Sequence, residues 1–317
     1  MLAGLALACA VSAHAGVTPW EPLEIRDGHV LFPVTVAGVA GHAVFDSGSQ
    51  IHSVDKGFVE RNGLRLLGRK FDITGVSSTE ESVRSVSRLP IGLFGAEFEL
   101  RDVPALPHPN MTMIIGAGFL KSYVLQLDYP NSRMRLITHD SVDLSKVANV
   151  PLRRAEGSGL PAVQVTIDGE KRWMLLDTGN SGPILMRRVV AEGAGWIGRF
   201  QTTRTIGRDA NADISELDLL VLPSLAIGPY ELADVPIRIP APGQEIHISG
   251  FRQAPARFTR IKKGVRISGI LGYEVLRHFI VTIDYDRDKA HIEAPPEPRA
   301  EEAEKPETVA PAETPAP

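Results

Sequence analysis

Two aspartates each follow a hydrophobic run and precede a hydroxyl residue and a glycine. Asp46 lies in AVFDSGSQ, residues 43–50, and Asp177 lies in WMLLDTGNSG, residues 173–182. An aspartate at the end of a strand often belongs to a turn, and one copy of the pattern favours that interpretation. Two matched copies favour chemistry instead, because two carboxyl groups that lie close together cannot both ionise readily and therefore share one proton.

Both aspartates are followed by the same kinds of residue. The hydroxyl of Ser47 or Thr178 can anchor its turn by hydrogen bonding to nearby backbone, and Gly48 or Gly179 permits a tight turn and a close approach of backbone to a carboxylate. If the two turns face each other, one carboxylate can take a proton from water while the other, protonated, polarises a carbonyl group. The pattern predicts hydrolysis with the two aspartates as catalytic residues.

The two aspartates occupy equivalent positions in an internal duplication. Asp177 follows Asp46 by 131 residues, and three pairs of segments repeat in the same order in both halves. These pairs are PVTVAG (33–38) with QVTIDG (164–169), ELRDVP (99–104) with ELADVP (231–236), and IIGAGFLKSYVLQLDYPNSRM (114–134) with ILGYEVLRHFIVTIDYDRDKA (270–290). The offset rises from 132 to 156 between the last two pairs, which indicates 24 inserted residues in the second copy.

The repeat predicts two lobes, residues 24–140 and 150–294, with the insertion at about 237–269. Short β-branched or alternating apolar segments separated by Gly and Asn are typical of strands. Short helical stretches recur in VDKGFVERNG and GAGFLKSY and in MRRVVAEGAG and GYEVLRHF, and DYPNSRMRLI and DYDRDKAHIE are predicted hairpins that close each lobe. The predicted fold class is mainly β, with two tandem closed β lobes related by a pseudo-twofold axis and a few short helices.

The sequence resembles the aspartic proteases of the pepsin and retropepsin clan, in the single-chain, two-lobed bacterial form. Two motifs carry the resemblance: two hydrophobic residues before Asp-Ser/Thr-Gly, at 44–48 and 175–179, and a later hydrophobic-hydrophobic-Gly, at 114–116 and 270–272. The resemblance covers residues 28–294. It implies retropepsin-like lobes, a cleft between them that holds an extended protein or peptide substrate, and no metal or organic cofactor.

The resemblance also implies roles for residues around the aspartates. Ser47 and Thr178 would interlock across the lobes, and a hairpin flap would cover the cleft. The candidate flap tips are Thr74-Gly75-Val76 and Ile206-Gly207-Arg208, whose glycines lie 29 and 30 residues after their aspartates. The chain departs from the family at Asn180, where Ala or Ser is usual.

The first residues predict export from the cytoplasm. MLAGLALACAVSAHAG is a short apolar run that ends in a small-x-small pattern, so we expect a signal peptide, residues 1–15, cleaved after Ala15. A buried N-terminal strand or helix is the alternative. The run is too short to span a bilayer. Ala6 stands where a lipoprotein signal usually carries Leu, which disfavours lipid anchoring at Cys9, and a periplasmic location is predicted.

Composition restricts the partners. The net charge of −4 provides no overall basic field for nucleic acid. Residues 295–317 are rich in Pro, Glu and Ala without apolar periodicity, which predicts a disordered tail. The insertion contains the basic run FRQAPARFTRIKKGVR, which predicts a hairpin whose charges face water. Alternatively, the run could bind an acidic segment of the substrate, an anionic membrane surface or the acidic tail of the chain.

Other catalytic patterns are missing from the sequence. The nine histidines include no H-x-x-x-H pair, which argues against a metal site, and no G-x-S-x-G motif indicates a serine hydrolase. Gly116-Ala117-Gly118 lacks the third glycine of a dinucleotide loop. Asp128 and Asp284 also repeat, but each precedes Tyr and a turn, so we interpret them as structural.

The sequence therefore predicts an extracytoplasmic aspartic endopeptidase that functions as a monomer. Asn180 and the insertion motivate an alternative, a peptide-binding or scaffolding module that kept the fold and lost turnover. A third possibility is that lobes pair between two chains and only one pairing is active.

Overall fold

Strands account for most of the regular secondary structure. In the computed structural model, strands make up 55% and helices 9% of the described residues, so the prediction of a mainly β fold is confirmed. The predicted signal peptide, the flap residues Gly75 and Val76, most of the insertion and the tail beyond 295 lie outside the described residues. The described residues are 16–74, 80–108, 110–208, 214–244 and 264–295.

The described residues of the first half of the chain form eleven strands, six of which make a closed sheet. The strands are β1 (Glu21–Pro22), β2 (Glu24–Arg26), β3 (His29–Val36), β4 (Val39–Asp46), β5 (Ser53–Asp55), β6 (Lys70–Thr74), β7 (Glu80–Leu93), β8 (Ala96–Leu106), β9 (Met113–Gly116), β10 (Val124–Asp128) and β11 (Arg133–Ile137). Neighbours in the closed sheet run β3-β4-β9-β5-β8-β7, and β7 pairs back with β3. We call this sheet the first barrel. Along β3, buried Phe32, Val34 and Val36 alternate with exposed Pro33 and Thr35, because successive side chains of a strand point to opposite faces.

The second half repeats this arrangement. Its strands are β12 (Val150–Arg154), β13 (Pro161–Ile167), β14 (Glu170–Leu176), β15 (Ile184–Met186), β16 (Thr203–Arg208), β17 (Ile214–Ile227), β18 (Tyr230–Pro240), β19 (Gly269–Leu271), β20 (Ile280–Asp284) and β21 (Lys289–Glu293). Neighbours run β13-β14-β19-β15-β18-β17, and β17 pairs back with β13. This closed sheet, the second barrel, has the same strand connectivity as the first, which accounts for the sequence repeat.

Neither terminal hairpin closes its own barrel, and the two hairpins pair with each other; β21 also pairs with β12 of its own half. β10 and β11 form one hairpin and β20 and β21 the other, as the sequence predicts. β10 then pairs antiparallel with β20, so that Leu125 lies opposite Ile283. Both strands are almost entirely buried, and buried backbone N–H and C=O groups require partners. Pairing across the halves supplies them, so the prediction that these hairpins close each lobe is wrong.

The aspartate predicted to be structural in the first hairpin holds its turn. Asp128 is fully buried and accepts hydrogen bonds from the backbone and side chain of Asn131 and, at 2.7 Å, from Nε of Arg133. Asp284 takes the matching position in the second hairpin and accepts from the backbone N–H of Arg287. Both contacts are typical of aspartates that stabilise turns.

Helices are short and lie between strands. α1 (Lys56–Arg61), α2 (Arg188–Gly193) and α3 (Tyr273–Leu276) fall within three of the predicted helical stretches, and a 3₁₀ turn at Phe119–Lys121 falls within the fourth. Another 3₁₀ turn lies at Leu144–Lys146. In the described part of the chain, no helix has the length and apolar character needed to cross a membrane.

The two catalytic candidates lie at the ends of buried central strands. β4 ends at Asp46, which pairs with Gly116 of the parallel strand β9. β14 ends at Leu176, one residue before Asp177, and pairs in parallel with β19. The ring of Phe45 stacks on Phe32 with centroids 4.7 Å apart, so packing restrains the residue before Asp46.

A buried histidine makes the stability of the fold depend on pH. His108 is 4% exposed, its Nε2 lies 2.9 Å from the hydroxyl of Ser53, and burial lowers its pKa from 6.5 to about 4. Between these pH values, the imidazole of His108 is protonated in the unfolded chain and neutral in the folded chain. Stability from this group is therefore present above pH 6.5 and lost as the pH falls toward 4, by about 3 kcal/mol. We expect urea unfolding at pH 7.5 and 4.5 to show this loss as a difference between the unsubstituted protein and a variant without His108.

The variant His108→Gln separates this contribution from the rest of the molecule. It should unfold with a smaller difference between the two pH values than the unsubstituted protein. His52, whose pKa burial also lowers to about 4, would still contribute in the same direction. An equal pH dependence in the variant and the unsubstituted protein would contradict the role of His108.

Candidate active site

The two Asp-hydroxyl-Gly turns meet and hydrogen-bond to each other. The backbone N–H of Ser47 donates to Oγ1 of Thr178 at 3.1 Å, and the N–H of Thr178 donates to Oγ of Ser47 at 3.0 Å. Each hydroxyl also donates across the contact: Ser47 to the carbonyl of Leu176 at 2.6 Å, and Thr178 to the carbonyl of Phe45. Ser47 and Thr178 are buried. Four reciprocal hydrogen bonds therefore join the residues on either side of each aspartate.

This contact brings the two carboxyl groups together. Each carboxyl accepts a hydrogen bond of 2.8 Å from the glycine N–H of its own turn, Gly48 for Asp46 and Gly179 for Asp177. Each also lies against the glycine of the other turn. A Cβ atom on Gly48 would lie 2.5 Å from Cγ of Asp177, and one on Gly179 would lie 2.5 Å from Cγ of Asp46. Both aspartates are half-buried, so solvent and ligands can reach them.

The environment favours the protonated form of both carboxyl groups. Burial raises the pKa of Asp46 well above its usual range, and the charge of Asp177 and a side-chain hydrogen bond to it raise that pKa further. Burial also raises the pKa of Asp177, although N–H groups of Gly179 and Asn180 oppose the effect by stabilising its ionised form. Because the two groups interact directly, they titrate as a pair and not as separate residues.

The interlocked hydroxyl groups should contribute strongly to stability. Thr178→Val keeps the size of the side chain but removes Oγ1, which leaves the N–H of Ser47 and the carbonyl of Phe45 buried without that partner. Each such group costs about 1–3 kcal/mol. We expect the free energy of unfolding to fall by about 2–5 kcal/mol in urea denaturation.

Thr35→Val is the matched control, since Thr35 is an exposed strand residue in the first barrel. Its effect should stay within about 0.5 kcal/mol. Equal effects of the two substitutions would show that the interlock does not stabilise the fold.

The departure at Asn180 leaves the local hydrogen bonding intact. In the first turn, the N–H of Ile51 donates to Oγ of Ser49 at 3.4 Å; in the second, the N–H of Gly182 donates to Oδ1 of Asn180 at 3.2 Å. The backbone carbonyls of Ser49 and Asn180 also accept equivalent bonds, from Ala117 and Tyr273. The Asn180 amide donates to the carbonyl of Pro183, so this side chain serves its own loop.

The glycines of the hydrophobic-hydrophobic-Gly motif lie in close contact with these loops. A Cβ atom on Gly116 would lie 2.3 Å from the carbonyl oxygen of Ile51, and one on Gly272 would lie 2.3 Å from the Asn180 amide. Only glycine allows such proximity. The hydrophobic-hydrophobic-Gly motif therefore positions the loop that follows each aspartate.

The described flap candidates lie on two pairs of antiparallel strands. Thr74 ends β6 and pairs with Glu80 of β7, while Gly75 and Val76 fall outside the described residues. Ile206 and Gly207 lie within β16, paired with Glu216 and Ser215 of β17. The Ile206 side chain is 67% exposed. Residues 209–213, which follow β16 in the sequence, lie outside the described residues, and the flap assignment stays a prediction.

Two further residues near the site were not predicted. Gln50, four residues after Asp46, donates from its amide to the carbonyl of Ser158 in the second half at 2.6 Å. Arg238 of β18 lies beside Gly182, which follows Asp177 by five residues. No sequence pattern indicates the first contact. The repeat contains a signal for the second, because ELRDVPAL has Leu106 where ELADVPIR has Arg238.

Metal ligands are not clustered in the described residues. No group of three or more His, Cys, Asp and Glu side chains there is arranged to hold an ion. The two carboxyl groups of the site can share a proton and act on a water molecule.

Comparison with known proteins supports the same interpretation. Residues 163–275 match the family model described as aspartyl protease. The match includes Asp177, Thr178 and Gly179 and most of the second barrel, and it supports a relationship to the retropepsin-like aspartyl proteases. No curated protein matches the chain significantly.

Proposed function

We propose that the protein is an aspartic endopeptidase in which Asp46 and Asp177 activate a water molecule. The reciprocal hydrogen bonding of the two turns is the observation that carries this proposal. It holds two half-buried carboxyl groups against each other, and the raised pKa of both favours retention of a shared proton. The family match supports hydrolysis of the aspartic protease type.

The pair begins the reaction with one carboxyl protonated and the other ionised. The ionised group takes a proton from water as the water oxygen bonds to the scissile carbonyl carbon, and the protonated group donates to the carbonyl oxygen. A tetrahedral diol results. Proton transfer to the nitrogen then breaks the C–N bond and releases an acid and an amine. The pair returns to its singly protonated form, and no covalent intermediate with the protein forms.

The proposal also includes the substrate, the oligomeric state and the cellular location. An extended peptide would lie between the two barrels, with its backbone paired to the hairpins β6–β7 and β16–β17. The chain would function as a monomer, because both turns belong to one polypeptide. The apolar N-terminal run supports export and a periplasmic location.

Product analysis tests this proposal. The purified protein is incubated with a peptide mixture in ¹⁸O-labelled water over a range of pH, and new termini are identified by mass spectrometry. We expect internal cleavage, one ¹⁸O atom in each new carboxyl group, and inhibition by a peptide with a hydroxyl-containing isostere of the tetrahedral diol. A chelator serves as the parallel control and should leave the rate unchanged. Absence of products, or loss of activity with the chelator alone, would contradict the proposal.

The same experiment addresses the alternative of a binding module. That module would hold the isostere peptide and form no products. Asn180, which motivated the alternative, has its side chain turned to its own loop, so nothing at this residue favours loss of turnover.

A further inference from the structure

Arg238 occupies a position in the second barrel that Leu106 occupies in the first. Leu106 lies at the end of β8 and pairs in parallel with Asp55 of β5. Arg238 lies near the end of β18 and pairs in parallel with Leu185 of β15. The two residues are 132 positions apart, the offset of the ELRDVP and ELADVP segments. Asp102 and Asp234 also lie 132 positions apart, and both have positive φ, which supports the same alignment of β8 with β18. The parallel pairing differs between the barrels, since the partners Asp55 and Leu185 are 130 positions apart.

The Leu106 site is closed and apolar. Leu106, Ile73 and Val83 are 4%, 1% and 8% exposed and form a small cluster apart from the main core. Ile51 and Phe71 pack against this cluster. Because its walls are hydrophobic side chains, this site has no group that could bind a charged ligand.

The matching site in the second barrel has lost three of these apolar side chains. The offsets place Gly182 at the position of Ile51, Thr203 at that of Phe71 and Thr205 at that of Ile73. Thr203 is exposed and Thr205 is half-buried. A Cβ atom on Gly182 would lie 3.0 Å from Nη1 of Arg238, so the guanidinium lies against the loop that carries Asp177.

Arg238 lacks a partner within the described residues. Its Nε is buried with no hydrogen-bond acceptor, and no described residue forms an ion pair with the guanidinium. Glu274 is the acidic group that acts on its pKa, yet Glu274 is paired with Arg277 at 3.2 Å. Burial lowers the pKa of Arg238. A partly desolvated cation without a described partner destabilises a fold, so a bound ligand of opposite charge would stabilise Arg238.

We propose that Arg238 binds a carboxylate of the substrate peptide close to the scissile bond. This inference rests on the proposed function and narrows it to peptides that carry an acid near the cleavage point. The planar guanidinium presents its donors in a fork that matches the two oxygens of a carboxylate. Either an Asp or Glu side chain or the C-terminal carboxylate of a short peptide could supply that group.

Matched peptides test the proposal. Glu and Gln are compared at each position around one cleavage site, with the C-terminus free or amidated, and kcat/KM is measured for the unsubstituted protein, Arg238→Leu and Arg101→Leu. Arg101, an exposed residue of β8, is the control. We expect one Glu peptide to exceed its Gln partner at least about tenfold, mainly through KM. Arg238→Leu should abolish that ratio and Arg101→Leu should preserve it.

The free and amidated termini distinguish the two sources of the carboxylate. An effect of amidation that Arg238→Leu removes would assign the C-terminal group, and an effect of Glu against Gln would assign the side chain. If Arg238→Leu leaves every ratio unchanged, the proposal is overturned.

A binding measurement separates this proposal from the proposed function. Fluorescence anisotropy of the same labelled peptides with Asp177→Asn reports affinity without cleavage. One outcome would contradict the proposed function and support the role of Arg238. In that outcome the protein cleaves no peptide, binds the Glu peptide at least about tenfold more tightly than the Gln peptide, and loses this difference in Arg238→Leu. Equal binding overturns the role of Arg238. Urea unfolding completes the test: Arg238→Leu should be at least as stable as the unsubstituted protein, whereas strong destabilisation would indicate a structural role.

Discussion

Asp46→Asn and Asp177→Asn should each abolish peptide-bond cleavage while leaving the fold intact. Each substitution removes one of the two groups that must exchange a proton with water and with the carbonyl oxygen. Positioned acid–base groups contribute about 10²–10⁴-fold in rate, so we expect kcat to fall by at least about 10³-fold in either variant. Because the groups act as a pair, the double variant should be scarcely slower than either single one.

Stability measurements provide the control for these variants. Burial penalises the ionised form of both carboxyl groups, and their raised pKa means that the folded chain binds protons more readily than the unfolded chain. This effect lowers stability progressively as the pH rises above the ordinary carboxyl range. An uncharged amide escapes that penalty, so both variants should be at least as stable as the unsubstituted protein at pH 7.

Asp286→Asn is the matched control for activity, since Asp286 is an exposed residue between β20 and β21. It should cleave at the unsubstituted rate. Retained cleavage in both Asp46→Asn and Asp177→Asn would refute the catalytic assignment, whatever their stability.

Gly48→Ala and Gly179→Ala should inactivate the protein without touching either carboxyl group. Neither glycine has a positive φ, so alanine is compatible with the backbone. The added Cβ would instead lie 2.5 Å from Cγ of the opposite aspartate, a separation that forces the carboxyl to move. A displacement of about 1 Å at reacting groups can cost about 10²-fold in rate, and we expect kcat to fall by at least that factor.

Gly193→Ala distinguishes this steric effect from a general effect of losing glycine. Gly193 ends α2, and a Cβ atom there would meet no heavy atom within 4 Å. The control should retain full activity. Because Gly48 faces Asp177 and Gly179 faces Asp46, the two test variants should be similarly impaired. Full activity in both would show that the carboxyl groups do not need their present separation.

Local sequence patterns predicted the secondary structure well. The paired strands and short helices recur where alternating or β-branched segments and their turns repeat, because side-chain periodicity reports which face of an element is buried. The terminal hairpins, β10–β11 and β20–β21, were located correctly, yet their partner was not. The strand that pairs with β10 lies more than 150 positions further along the chain. The pattern of apolar residues in one strand shows which face is buried, but it does not identify the neighbouring strand.

The fold brings the predicted catalytic residues Asp46 and Asp177 together, but the sequence does not predict several details of the site. Asn180 stands out in the sequence as a departure, whereas its side-chain oxygen takes over the hydrogen bond made by Ser49. Ser and Asn can both accept that bond, and only the loop geometry shows that they do. The sequence does not single out Arg238, because one arginine in a strand is ordinary. A binding role is suggested only by its buried Nε, which has no hydrogen-bond partner among the described residues.

The sequence by itself determined the repeat of similar segments, the mainly β class and the equivalent positions of Asp46 and Asp177 in that repeat, because similar residues at matching offsets are visible without coordinates. Only the tertiary structure decided that each carboxyl lies against the glycine of the other turn, that the hydroxyl groups bond reciprocally, and that the two halves share a sheet. These contacts join residues about 130 to 160 positions apart. Local propensity constrains φ, ψ and burial, whereas distances across the fold are set by packing of the whole chain.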